Sequence, residues 1–197
     1  VPTLFAQMMM GRLAAEFTQA YPDVKLAITL EDRQVDLVNE GYDLVIRVNP
    51  EPNSELVGRC FAREQILIVS TPELKKRFAR VSTTQSMQPL PVIVRGSPSH
   101  GTWKIGGVSA KDIAVRTVLQ LPLFTMIRDA ALTGIGAARL PRLVVADDLS
   151  AGRLVSWGVA TDEPVELWAL HTSRRLPSAK VKAFMSFLET DFRKMGA

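Results

Sequence analysis

The sequence predicts an α/β fold with mostly parallel sheets, and three observations lead there. Residues 24–48, VKLAITLEDRQVDLVNEGYDLVIRV, read as strand, helix and strand in succession. From about residue 73 a second block restarts the same alternation of strand and helix. The chain then closes on an amphipathic helix with Val181, Phe184, Leu188 and Phe192 along one face. At 197 residues it is long enough to bury a substantial core, as one large domain or two small ones.

In the first block, Phe5, Met9, Leu13 and Phe17 recur every four residues, with Leu4 and Met8 beside them. That is the stripe of a helix packed on a sheet. Thr3 is placed to cap it after Pro2, and it should stop before Tyr21-Pro22, because the residue preceding a proline avoids helical backbone. Val24, Leu26, Ile28 and Leu30 then alternate with Lys25, Ala27 and Thr29, the pattern of a strand with one better-buried face. Asp32 stands where the next helix needs an N-cap. Val35, Leu37 and Val38 give that helix an apolar face, and Gly41 closes it in the left-handed conformation of a C-terminal cap. Leu44, Val45 and Ile46 read as a strand buried on both faces. A βαβ crossover joins parallel strands, so this strand is expected to run parallel to the first. Ligands bind outside the carboxyl ends of such strands, here at Leu30, Glu31 and Asp32.

A turn-rich link with Pro50, Pro52, Asn53 and Ser54 leads to the strand QILIVS (65–70) and the basic helix PELKKRF, opened by Pro72. Thr83 or Thr84 caps a brief helical turn, and Pro91 to Val94 make a strand. RGSPSHGTWKIGG (95–107) holds four of the chain's twelve glycines and reads as loop and turn. Ile113, Val115, Thr117 and Leu119 alternate as a strand. TMIRDAALTG (125–134) is a helix ending at Gly134, and GIGAARLP (134–141) is a short buried strand. PRLVVADDLSAG (141–152) is a helix with Pro141 in its first turn and Gly152 past its end. Asp147 and Asp148 are expected on its exposed side. RLVSW and VELWALHT are the last strands, and Ser178 caps the terminal helix.

Hydrophobic residues make up 47% and charged residues 22%, an ordinary globular composition. No run reaches the 18 or so apolar residues of a membrane span, and VPTLFAQMMMGRLAAEF lacks the leading positive cluster of a secretion signal. The single cysteine, Cys60, leaves no internal disulfide, suits a reducing cytoplasm and reads as a small, partly buried hydrophobe. A net charge of +4 with scattered Lys and Arg does not mark a DNA-reading surface; only Lys75, Lys76, Arg77 and Arg80 cluster, on a solvated face. The two histidines, His100 and His171, have no partner at metal-ligand spacing, so no metal or other cofactor is implied. Nucleophile elbow, phosphate loop and dinucleotide fingerprint are missing, which argues against an enzyme.

What remains is a set of strand ends and helix starts. Pro2 and Thr3 lie at the start of the first helix, and Leu30 and Glu31 at the end of the first strand. Arg95, Gly96 and Ser97 end a strand of the second block, and Leu123, Phe124 and Thr125 precede the helix near Met126. Helix N-termini attract carboxylates, and Arg95 adds a full charge with a bidentate fork.

Three stretches resemble the effector-sensing domain of LysR-type transcriptional regulators. They are EFTQAYPDVKLAITLEDRQVDLVNEGYDLVIRV, DAALTGIGAARLPRLVVADDLSAGRLV and SRRLPSAKVKAFMSFL. The resemblance implies two Rossmann-like lobes of type 2 periplasmic-binding-protein-like architecture joined by a hinge. Residues 1–71 plus 166–197 would form the first lobe and 72–165 the second. It further implies a small effector, often a carboxylate, held in the interlobe cleft by the ten residues just named, and a homodimer whose DNA contacts come from attached domains. Family members begin with a winged helix-turn-helix and a long linker helix; neither is found in this sequence, so it is expected to represent the sensing domain alone. The family is commonly polar before the second-lobe helix, whereas Leu121-Pro122-Leu123-Phe124 stands here, which favours an effector with an apolar part. A free-standing solute-binding protein of the same fold is the alternative; it would need a secretion signal or lipid anchor.

Overall fold

A computed structural model describes residues 1–33, 36–37, 39–51, 56–81, 88–97, 100–106, 111–161, 164–172 and 176–195. The chain forms two compact units, Val1–Arg63 with Val165–Ala197, and Glu64–Pro164.

In the first unit α1 (Thr3–Phe5), a π-helical turn (Ala6–Met10) and α2 (Gly11–Ala20) run on without a break. The wider turn shifts the apolar stripe by a residue, so Met10 is buried beside Met9 while Met8 is 38% exposed. Leu13 and Phe17 are fully buried, and the helix ends at Ala20 as expected, with the Tyr21 N–H donating to Phe17 O. Its start differs from the sequence expectation. Pro2 occupies the cap position and Thr3 is the first helical residue. The capping acceptor is Asp32, whose Oδ1 takes the Thr3 N–H at 2.9 Å, so Asp32 caps the first helix rather than one of its own.

Residues 24–30 belong to no ladder, which corrects the first expected strand. Both of their ends are tied, the near one through the Val24 N–H, which donates to Tyr21 O at 3.0 Å. The Val1 ammonium donates to Thr29 O, and the Glu31 N–H to Val1 O, the bond pair of a parallel bridge. Alternation marks which side chains share a face, not which backbone edge finds a partner. Among the described residues after Asp32, turns stand where the helix was expected. Glu40 N–H bonds Asp36 O, Tyr42 N–H bonds Leu37 O, and Gly41 takes φ +74°. The Asp36 carboxylate accepts from both the backbone N–H and the side chain of Asn39, a local alternative to the helix ladder. Val35 and Val38 lie outside the described residues, as do Pro52, Asn53, Ser54, Thr83 and Thr84.

β1 (Val45–Val48) pairs antiparallel with β9 (Val165–Thr172), Val45 opposite Leu170 and Val48 opposite Leu167. The sheet order is β1-β9-β2, with β2 spanning Leu56–Glu64. The parallel neighbour expected for this strand is therefore replaced by a distant antiparallel one. At Gly58 of β2 a Cβ would come within 1.9 Å of Ala169 O, so only glycine fits the approach. The last helix, α6 (Ala179–Met195), is capped as expected by Ser178, whose Oγ accepts the Val181 N–H. Phe184 and Phe187 meet Phe17 edge-on, and Phe192 joins Phe5 and Phe61. A bidentate Arg12–Asp191 pair joins α2 and α6 at the surface.

The second unit contains β3 (Ile66–Ser70), α3 (Pro72–Val81), β4 (Leu90–Val94), β5 (His100–Gly106), β6 (Lys111–Gln120), α4 (Phe124–Leu132), β7 (Ala137–Pro141), α5 (Arg142–Ser150) and β8 (Val155–Ala160). The strands close on themselves in the order β3-β7-β4-β6-β5-β8. β4 runs parallel to β6 and β7, while the other pairings are antiparallel. The sheet is thus mixed rather than mostly parallel. β5 is also a correction, because 95–107 reads as loop. Its glycines hide a short alternation in which Trp103 and Ile105 turn into the core with Ile68, Leu90 and Val92. A second correction concerns Asp148 of α5. Its side chain is fully buried rather than exposed, and it accepts from both Arg128 and Arg153.

Candidate functional site

In the second unit the sheet register fixes one group of the expected site residues. β4 and β6 are parallel and end side by side, with Val94 opposite Gln120. The loops that follow, 95–97 and 121–123, therefore leave the same edge of the sheet. Leu121 N–H donates to Val94 O at 3.0 Å, and Gln120 Nε2 to Gly96 O at 3.2 Å. Gly96 takes φ +76°, which turns the chain sharply after Arg95. Leu123 is extended and precedes α4, and no side chain caps that helix start. The Arg95 guanidinium lies 4.8 Å from the centre of the Phe124 ring. Leu123, next to Phe124 in the chain, leaves 48% of its surface exposed, and Met126 in the first turn of α4 leaves 43%. Ser97 lies in the same bend as Arg95, and Thr125 in the first turn of α4. This cluster can hold an anion by charge and by the positive end of a helix, next to an apolar surface.

In the first unit Pro2 and Thr3 lie beside Leu30 and Glu31, tied by the Glu31–Val1 and Thr3–Asp32 bonds. Leu30 is 54% exposed. The first N–H of α1 is filled by the chain's own carboxylate, so this helix start offers less to an anion than its sequence implies. The Glu31 carboxylate pairs with Arg33, which also holds Glu40 at 2.7 Å. Arg47 donates to Arg33 O, and burial, then the nearby Arg33 charge, lowers its pKa.

The first unit also contains a cavity of about 320 Å³ with Met10, Phe17, Leu26, Val45, Val181 and Phe184 among its walls. Sequence reading missed it, because Leu26 and Val45 were expected on adjoining strands that would fill this space. Cys60 is half-buried, as expected, with its thiol pKa raised by burial. Among the described residues no cluster of His, Cys, Asp and Glu could hold a metal ion, and no helix is long and apolar enough to cross a membrane.

Residues 1–193 match the family model of the LysR substrate binding domain. The HTH-type transcriptional regulator DmlR of Escherichia coli strain K12 is 28% identical over 191 residues, covering 95% of this chain and 62% of that protein. The HTH-type transcriptional activator TtdR of the same strain is 24% identical, covering 93% of this chain and 60% of that one. The chain thus spans less than two thirds of these relatives. Among solved structures, the regulatory domain of AphB from Vibrio vulnificus, treated with cumene hydroperoxide, superposes with a TM-score of 0.70 at 19% identity, covering 96% of each chain. The CrgA regulatory domain from Neisseria meningitidis gives 0.71 at 18%, covering 97% of this chain and 95% of that one. These likenesses establish the fold class expected from the sequence, α/β with two periplasmic-binding-protein-like lobes. With the family model matched along almost its whole length, the chain belongs to the LysR substrate binding domain family.

Proposed function

We propose that this chain is the effector-sensing part of a cytoplasmic DNA-binding transcriptional regulator, and that its effector is a small carboxylate with an apolar part. The observation that carries the effector class is the Arg95–Phe124 pair at the uncapped start of α4, preceded by exposed Leu123. A guanidinium and free helical N–H groups select a carboxylate, while the exposed leucine selects against a second charge. We assign Arg95, Gly96, Ser97, Leu123, Phe124 and Thr125 to the effector from the second lobe (72–165), and Pro2, Thr3, Leu30 and Glu31 from the first (1–71 with 166–197).

The named relatives are HTH-type regulators, which supports a parent protein that contacts DNA through a separate domain. Sensing domains are proposed to associate as homodimers, and the effector acts by favouring one arrangement of the assembly over another.

Thermal melting of the chain with a panel of aromatic and aliphatic acids tests this reading. An acid at about 100 times its Kd adds about 2.7 kcal/mol to stability, a clear rise in Tm. Arg95→Ala is expected to abolish that rise while leaving the unliganded Tm close to wild type, because the side chain is exposed. If no acid raises Tm, or if Arg95→Ala responds like wild type, the effector assignment fails.

A further inference from the structure

We propose that Phe124 is a positioning residue for Arg95, and that through it the site prefers a flat, conjugated monocarboxylate to a flexible dicarboxylate. This rests on the effector reading above and specifies its ligand.

The partners of the arginines are the starting point. Arg12, Arg33, Arg63 and Arg128 each meet a carboxylate. Arg95 has none among the described residues; its guanidinium carbon lies 4.8 Å from the centre of the Phe124 ring. An exposed arginine without an acid partner samples many rotamers. An aromatic ring against its planar cation restricts that freedom without neutralising the charge or using its N–H groups. The donor fork therefore stays available to a carboxylate and is already oriented for it.

The ring is itself held in place. It opens α4 directly after loop 121–123, which is tied to β4 through the Leu121–Val94 bond, and the Arg95 loop is tied to β6 through Gln120 and Gly96. Directly before the ring in the chain, Leu123 leaves 48% of its surface exposed. A flat apolar body attached to the carboxylate covers it. A second carboxylate placed there loses water and gains no donor.

The test uses benzoate and succinate as probes, titrated calorimetrically into the 197-residue chain and into Phe124→Leu, Phe124→Tyr and Arg95→Lys. Wild type is expected to bind benzoate more tightly than succinate. Phe124→Leu should weaken benzoate about fivefold and change succinate much less; Phe124→Tyr should restore wild-type selectivity. Arg95→Lys, which keeps the charge but loses the planar fork, should lose the preference as well. In NMR spectra the Arg95 Nε–H resonance should be shifted upfield by the ring in wild type and Phe124→Tyr, and should return to the exposed-arginine position in Phe124→Leu. Equal loss for both acids, or an unshifted Arg95 resonance in wild type, overturns the positioning role. If benzoate binds and Arg95→Ala abolishes binding while Phe124→Leu matches wild type, only this inference falls. If neither acid binds wild type, the effector reading falls with it. Should Phe124→Leu fail to fold, the Arg95 Nε–H resonance in wild type still decides the positioning role, since an unshifted resonance overturns it.

Discussion

Asp148 places a carboxylate inside the second unit with Arg128 on one oxygen and Arg153 on the other. The Arg128 guanidinium, followed by Arg153, outweighs burial and holds its pKa below the usual carboxylate range. Its ionised form therefore contributes stability at neutral pH, and that contribution is lost as pH falls through the depressed pKa. Asp148→Asn is expected to cost about 2 kcal/mol, allowing for two partly solvated arginines. Urea unfolding at pH 7 measures this, and the difference from wild type should shrink as the pH is taken into the acid range.

Glu64 has the opposite sign. Burial raises its pKa above 4.5, although its carboxylate accepts the Leu143 N–H at the start of α5 and lies near Arg142. A raised acid stabilises the fold in its protonated form, so its contribution is complete below pH 4.5 and is lost as pH rises through the higher folded value. Glu64→Gln keeps the acceptor and removes the titration. Its Tm should equal or exceed wild type at pH 7, and that difference should close as the pH is lowered to 4. Neither behaviour is readable from the chain alone. An Asp-Asp pair on a helix with Gly152 beyond it looks solvated until Arg128, on another helix, is known to cover it.

Among the elements, the first helix shows what local sequence can and cannot say. Its stripe and its end at Ala20 follow from spacing and from Tyr21-Pro22. Its cap does not, because the acceptor comes from Asp32, a segment away. Asp32→Ala is expected to lower stability by about 1 kcal/mol, visible as reduced Tm and faster amide exchange in the first turn. Gly41 is the reverse case. The described residues before it form turns rather than the expected helix, yet the left-handed position read from the sequence is present at φ +74° with open space around it. Gly41→Ala should therefore cost about 1 kcal/mol through backbone strain alone, and Gly41→Asn less; chemical denaturation of the pair checks the order.

Taken as a whole molecule, the chain divides so that its first unit draws on both ends and its second on one continuous stretch, Glu64–Pro164. That stretch owns a closed sheet and its own core around Ile68, Leu90, Trp103 and Ala137. Produced alone, residues 64–164 are expected to melt cooperatively with mixed α/β circular dichroism. A fragment 1–63 lacks β9 and α6, which cover Val45, Ile46 and Phe17, and should remain unfolded.

By itself the sequence determined most of the alternation of helices and strands, most helix ends, the left-handed Gly41 and the family, because each depends on a few neighbouring residues. Tertiary structure decided the partners: β1 against β9 rather than residues 24–30, a strand within 95–107, Asp148 inside rather than out, and Arg95 beside Phe124. Periodicity records which side chains share a face. Backbone edges and charged groups take their partners from segments distant in the chain, and no local pattern encodes that choice.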